Sequence, residues 1–159
     1  MRLEYHFPDE YLEPDPRYKS KLVSKFINCL MERGKKSRAQ RIFYDAVDIV
    51  AERLGTDDPL EAFQAALSNV APIIEVRSRR IGGMTYQVPS EVSDKRRISL
   101  AMRWLIQAAR SKEGRPMYLR LADELTDAYH RQGSAYERRE NTHKMAEANR
   151  AFAHFSLRR

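Results

Sequence analysis

Cysteine is almost absent from this chain, whose 159 residues contain one, Cys29. A single thiol excludes a disulfide framework and a thiolate-held metal centre. Lying in an apolar helical run, it reads as a small buried hydrophobe. Long apolar stretches are missing too: no segment approaches the ~18 consecutive apolar residues of a membrane span, so no membrane partner is expected. The N-terminus has neither the apolar core of a signal peptide nor the acid-poor, Arg-rich pattern of an organelle transit peptide. A reducing, cytoplasmic compartment is the expectation. Catalytic groupings are lacking as well, with no G-x-S-x-G elbow, no cysteine with a histidine partner and no H-E-x-x-H. His143 and His154 have no acid at zinc-motif spacing between them, and Asp45, Asp48 and Glu52 read as a solvated helix face. The expected protein is not an enzyme and holds no metal or cofactor.

Positive charge is what the chain has in excess. Lys and Arg number 29 against 22 Asp and Glu, a formal net charge of +7. The excess is unevenly placed, because residues 1–16 hold Arg2 and the acids Glu4, Asp9, Glu10, Glu13 and Asp15. That segment nets −4 and leaves +11 on the remainder. A folded body with such a surplus attracts polyanions through counterion release.

The length suits one domain. Residues 1–16 close on Pro14-Asp15-Pro16 and read as an extended acidic arm; residues 17–159 read as a single helical domain. Ser20 is placed to cap a first helix with Leu22, Val23, Phe26, Ile27, Leu30 and Met31 on one face, closed by Gly34. Ser37 and Gln40 fit a capping box for a second helix, through Ile42, Ala46, Val47, Val50 and Leu54 to Gly55. Asp58-Pro59-Leu60-Glu61 starts a third, which stops before Pro72. A fourth carries Ile98, Met102, Leu105, Ile106 and Ala109. A fifth begins near Pro116, and Ser134 with Glu137 fits another capping box for a sixth, reaching about His154.

Between the third and fourth helices lies the segment 75–89, EVRSRRIGGMTYQVP. Alternating runs flank Gly82-Gly83, and glycine enters positive φ without steric cost, so a β-hairpin at about 73–89 is predicted. Pro89 lacks an N–H and is expected to end its second arm. No second hairpin offers these strands a sheet, and an isolated ribbon is marginal in water. One loaded with Arg77, Arg79 and Arg80 looks made to be held by a polyanion. The fold class is mainly α: a six-helix bundle with one protruding β-hairpin.

Other cations cluster similarly. Arg96, Arg103 and Arg110 recur every seven residues as one stripe on the fourth helix. Lys95 and Arg97 thicken its N-terminal end, where the macrodipole disfavours positive charge. Trp104 reads as a core anchor. The Gly34-Lys35-Lys36-Ser37 turn sets two ammoniums and free backbone N–H groups at a helix start, a geometry suited to phosphate, with Arg38 and Arg41 close by. The last helix carries Arg138, Arg139, His143 and Lys144 near Phe152 and Phe155, and the histidine reads as a polar surface residue or a phosphate contact.

The runs FIN (26–28), GKKS (34–37), EVRSRRIGGMTYQVP (75–89), LAMRWL (100–105), RLADEL (120–125) and RENTHKMAEANRAFAH (139–154) resemble, in order, ribosomal protein seven of the small subunit in its bacterial form, within the universal ribosomal seven family. The resemblance implies a monomeric primary rRNA-binding protein that grips a multi-helix junction in the 3′ major domain of small-subunit rRNA and nucleates assembly of the head. It places the hairpin and C-terminal helix near exit-site tRNA and the mRNA path, beside ribosomal proteins nine and eleven, in a bacterial or an organellar ribosome. By position, Lys35, Lys36, Arg77, Arg79, Arg80, Arg96, Arg97 and Arg103 would line the rRNA surface. Ile81, Gly82, Gly83, Met84 and Tyr86 would lie by exit-site tRNA. Arg138, Arg139, His143 and Lys144 would lie near rRNA and tRNA. Arg38, Arg41, Lys95 and Arg110 complete the candidate rRNA set from the residue reading. Such proteins begin with a basic arm, so the acidic segment departs from the pattern; it is expected to rest on a basic protein surface or to be disordered. The competing reading is a helical DNA-binding regulator with a β-ribbon wing, against which stands the spread of basic residues over several elements.

Overall fold

The computed structural model describes residues 11–156. Among them, six α-helices run Lys21–Leu30 (α1), Lys36–Leu54 (α2), Pro59–Val70 (α3), Asp94–Ser111 (α4), Met117–Tyr129 (α5) and Gly133–Ala148 (α6). Antiparallel strands Ile74–Ile81 (β1) and Met84–Glu91 (β2) stand between α3 and α4, and a 3-10 helix, Arg150–Ser156, follows α6. The mainly α architecture with one hairpin is the expected one. No helix among the described residues is long and apolar enough to cross a membrane.

Helical spacing of apolar residues builds the core. α1 buries Val23, Phe26, Ile27 and Leu30. The rings of Phe26, Phe43 and Phe63 bring α1, α2 and α3 together with centroids 5.1–5.4 Å apart. α5 touches α2, α3, α4 and α6, so its Leu121, Ala122, Leu125 and Ala128 are fully buried. Cys29 is a correction: it is exposed, because the stripe chosen by residues 23, 26, 27 and 30 leaves it on the other side.

The helix starts show which caps are local. Asp58 accepts from the N–H groups of Leu60 (2.9 Å) and Glu61 (3.2 Å), with Pro59 at the first helical position. Ser20 stands before α1, but its side chain makes no cap bond. α1 ends at Leu30, not at Gly34, and Met31 is already extended. Neither predicted capping box forms. α2 begins one residue before Ser37, with Lys35 at its cap position. α6 takes in Ser134, and its start is satisfied from another helix: buried Glu124 of α5 accepts from the Ala135 N–H at 2.8 Å. Lys112 holds the other carboxylate oxygen at 2.9 Å. Gly133 makes this approach possible, since its φ is +87° and a Cβ there would stand 2.8 Å from the Asp127 Cβ. The sixth α-helix closes at Ala148, short of His154, and tightens into the 3-10 turn.

Ile81 pairs with Met84 across Gly82-Gly83, both at positive φ, as a two-residue hairpin turn requires. β2 continues past Pro89 to Glu91, so proline does not end the arm. Hydrogen-bonded pairs alternate along an antiparallel ladder. Counting from Ile81–Met84, the Val76–Pro89 pair falls in a non-bonded position, where the missing N–H costs nothing. The Val92 N–H to Ile73 carbonyl bond (3.0 Å) carries the same alternation past the strand ends.

Of the acidic arm, residues 1–10 lie outside the described residues. Asp15 is buried and belongs to the packed body. Its carboxylate accepts from the Tyr44 hydroxyl at 2.6 Å and from the backbone N–H groups of Arg17 and Tyr18 at 3.0 Å.

Candidate nucleic-acid interface

The hairpin is anchored by its own protein at the base. Glu75 on β1 is buried, and its carboxylate binds Nε of Arg96 (2.9 and 3.0 Å) and of Arg77 (2.5 Å). Burial alone would raise its pKa; the two guanidinium bonds outweigh that, and the carboxyl lies below its ordinary range. Arg97 reaches back from α4 to the Pro72 carbonyl (3.1 Å). His143 on α6 accepts the Ile73 N–H through Nε2 at 3.1 Å. Burial first, then the charge of Arg139, lowers the His143 pKa and favours the neutral acceptor form. Half-buried, the histidine clips α6 to the entrance of the hairpin through this bond.

Farther out, the arm is covered on one side. Tyr86 packs its ring on Phe152 (5.4 Å) and Phe155 (5.2 Å) of the 3-10 helix. Arg79 donates to the Phe155 carbonyl. The ribbon is therefore not the lone pair of strands that the sequence suggested. Arg80, Gly82, Gly83 and Met84 remain exposed at the tip, with Ile81 half-buried.

A second cationic region forms where α1 turns into α2. Lys35, Lys36, Arg38 and Arg41 are all exposed, and no acid lies in the first turn of α2. Arg110 comes to the same place from the end of α4, donating to the Leu30 carbonyl (3.2 Å) and to Glu32 (2.9 Å). Lys95, Arg96 and Arg103 are exposed along α4. Trp104 is buried, as a core anchor should be, with the Arg138 guanidinium 5.6 Å from its ring. Arg138 also donates to Gln107, Arg139 lies over Tyr136 at 5.2 Å and pairs with Glu140, and Lys144 is exposed.

The candidate cations thus divide by what they touch. Arg77, Arg79, Arg96, Arg97, Arg110, Arg138 and Arg139 make bonds inside the protein; Lys35, Lys36, Arg38, Arg41, Arg80, Arg103 and Lys144 are exposed to solvent. The pattern of the family described as ribosomal protein S7p/S5e matches residues 2–150.

The chain belongs to the ribosomal protein S7p/S5e family.

Relatives named small ribosomal subunit protein uS7 agree. That of Rhodopirellula baltica is 57% identical over 143 residues, covering 89% of this chain and 91% of the relative. That of Chloroflexus aurantiacus is 58% identical over 144 residues, 91% of each. That of Thermodesulfovibrio yellowstonii is 54% identical over 150 residues, 94% of this chain and 96% of the relative. The family consists of ribosomal structural proteins, so the chain is not an enzyme, and the DNA-binding regulator is set aside. The match takes in the acidic arm from residue 2 onward.

Sequence reasoning missed Glu75, Asp15 and Glu124, the carboxylates that organise the cations and turns around them. Their signal was weak because the partners that tie them into the fold, Arg96 for Glu75, Tyr44 for Asp15 and Ala135 for Glu124, lie on other elements. The Tyr86–Phe152–Phe155 contact had a better signal, an aromatic on the ribbon and two beside the last helix.

Proposed function

We propose that the chain is a primary rRNA-binding protein of the small ribosomal subunit. In this reading it clasps a multi-helix junction of the 3′ major domain and nucleates the head, as a monomer beside ribosomal proteins nine and eleven. The tip at Ile81, Gly82, Gly83 and Met84, with the C-terminal helix, lies by exit-site tRNA and mRNA. The observation that carries the reading is the start of α2, where exposed Lys35, Lys36, Arg38 and Arg41 gather with no acid in the first turn. Positive charge at a helix N-terminus opposes the macrodipole, and an RNA phosphate relieves that conflict while accepting from the free N–H groups. Recognition is by shape, phosphate and 2′-OH contacts, since A-form RNA hides its base edges in a deep, narrow groove.

Filter binding of a 3′-major-domain fragment across a salt series, with duplex DNA as competitor, tests this. The expected result is a preference for the rRNA fragment at physiological salt. Lys35→Ala with Lys36→Ala should flatten the salt slope by about one unit for each phosphate that is no longer neutralised. Equal affinity for duplex DNA, or an unchanged slope in the double variant, would overturn the reading.

A further inference from the structure

The histidines of the described residues, His130, His143 and His154, all make hydrogen bonds, and the bonds differ in kind. His130 and His154 use Nδ1 toward a carbonyl of their own helix, that of Thr126 at 2.9 Å and of Ala151 at 3.0 Å. A carbonyl only accepts, so the ring nitrogen donates, and both bonds survive when the ring gains a second proton. His143 is the opposite case. Its partner is the Ile73 N–H, which only donates, so Nε2 offers a lone pair and the ring proton sits on Nδ1. A proton on Nε2 would set N–H against N–H. The bond exists with the neutral ring alone.

This bond lies where α6 meets the entrance of the hairpin. Ile73 turns its side chain outward, 57% exposed, so apolar burial of that residue cannot stand in for it. The other bonds of the entrance lead elsewhere: the Pro72 carbonyl accepts from Arg97 of α4, and the Ile73 carbonyl accepts from the Val92 N–H. α6 itself runs on into the 3-10 helix, whose Phe152 and Phe155 cover Tyr86 of β2. His143 thus stands at the near end of a contact between the C-terminal segment and the ribbon that reaches out to Tyr86.

We propose that His143 is a proton-operated latch: the neutral ring holds α6 and the 3-10 helix against the hairpin, and the protonated ring releases them. Two charges act on the ring, both from α6. Arg139, which lies over Tyr136 and pairs with Glu140, opposes a further positive charge, and Glu140 favours it. On the hairpin side Glu75, Arg77 and Arg96 are bonded to one another, and Arg97 is committed to Pro72. Burial first, then Arg139, makes the folded ring take up its proton at a lower pH than an ordinary histidine. The closed latch therefore contributes its full stability above the ordinary value, near 6.5. That contribution is lost as pH falls toward the folded value, and below it the latch is open. The latch is a property of the free chain and is independent of any RNA.

The test uses the full chain without RNA. Amide exchange, corrected for its intrinsic dependence on pH, and the imidazole titrations are followed together by NMR from about pH 8 to about pH 5, a span that brackets the histidine range. Near neutrality His143 should show the Nδ1–H tautomer. As pH falls, the Ile73 amide should lose protection about five- to tenfold, the scale of one hydrogen bond, with the same midpoint as the His143 ring. The amides around Tyr86 should step at that midpoint too. His143→Gln cannot take up a proton, so whether or not its carbonyl reproduces the bond, it should abolish the step. His130→Gln should leave the step in place, and a thermal melt checks that both variants fold. Protection of Ile73 that stays constant over this range, a midpoint apart from that of His143, or a step that persists in His143→Gln would overturn the latch. The first two outcomes need no variant. A step at Ile73 with none around Tyr86 would overturn the link to the 3-10 helix.

Discussion

Replacing Glu75 with glutamine isolates what fixes the hairpin to the helical body. The carboxylate is about nine-tenths buried and satisfies Nε of both Arg77 and Arg96, whose own side chains are 53% and 48% exposed. Glutamine keeps the size but loses the charge, and it turns half of its end into donors facing donors. Hydrogen bonds to charged groups contribute about 1.5–3 kcal/mol each. The half-exposed guanidiniums recover water when released and are screened by solvent, so the two bonds together fall below the sum of those values, at about 1–2 kcal/mol. For a chain of this size that is a fall in Tm of roughly 2–8 °C. The pH dependence has a definite sign. A carboxyl whose folded pKa is depressed contributes stability that is fully present above its unfolded value, near 4.3, and is lost as pH falls through the folded value. Calorimetric melts at pH 7 should therefore separate wild type from Glu75→Gln, and the gap should shrink toward pH 3. Identical Tm values at pH 7, or a gap that persists undiminished in acid, would refute the assignment of Glu75 as the anchor. A cycle with Arg96→Ala would give the pairwise share.

Three further outcomes follow from the packing. The Tyr44 phenol is pushed up to about 12 by burial and by its bond to Asp15, so ultraviolet titration should show a late-ionising tyrosine at pH 11 that Tyr44→Phe removes, and that substitution should cost about 1 kcal/mol in a denaturant melt. Gly133→Ala should cost more than the ~1 kcal/mol of an ordinary glycine change, because φ is +87° and the new Cβ meets Asp127; a stability equal to wild type in urea would show that α6 starts differently. Tyr86→Ala should leave the melting of the helical core unchanged but speed amide exchange along β1 and β2, detected by mass spectrometry.

What the sequence disclosed was decided by neighbours in the chain. Gly82-Gly83 set the hairpin and its register, and Asp58-Pro59 set the start of α3, because a turn or a proline-led cap needs only adjacent residues. The α6 cap was illegible for the opposite reason: its acceptor is Glu124, on another helix, whereas the sequence offered the nearer Ser134 and Glu137. Cys29 could have been placed correctly, since at 100° per residue it points about 110° from the centre of the stripe that Val23, Phe26, Ile27 and Leu30 define. Among the cations, composition signalled the total but not the division. Whether an arginine serves the fold or faces outward often depends on a carboxylate or carbonyl that only tertiary contact supplies, as Glu75 does for Arg96 and the Pro72 carbonyl for Arg97.

The rings of Phe152 and Phe155 that close over Tyr86 are made long after the ribbon they cover. During synthesis the two strands leave the exit tunnel, and can pair across their glycine turn, well before those rings exist. In that interval α1 to α3, which precede the ribbon in the chain, can already bring Phe26, Phe43 and Phe63 together. The ribbon's final orientation is thus set only after the segment that follows α6 has been made, later than the pairing of its own two strands.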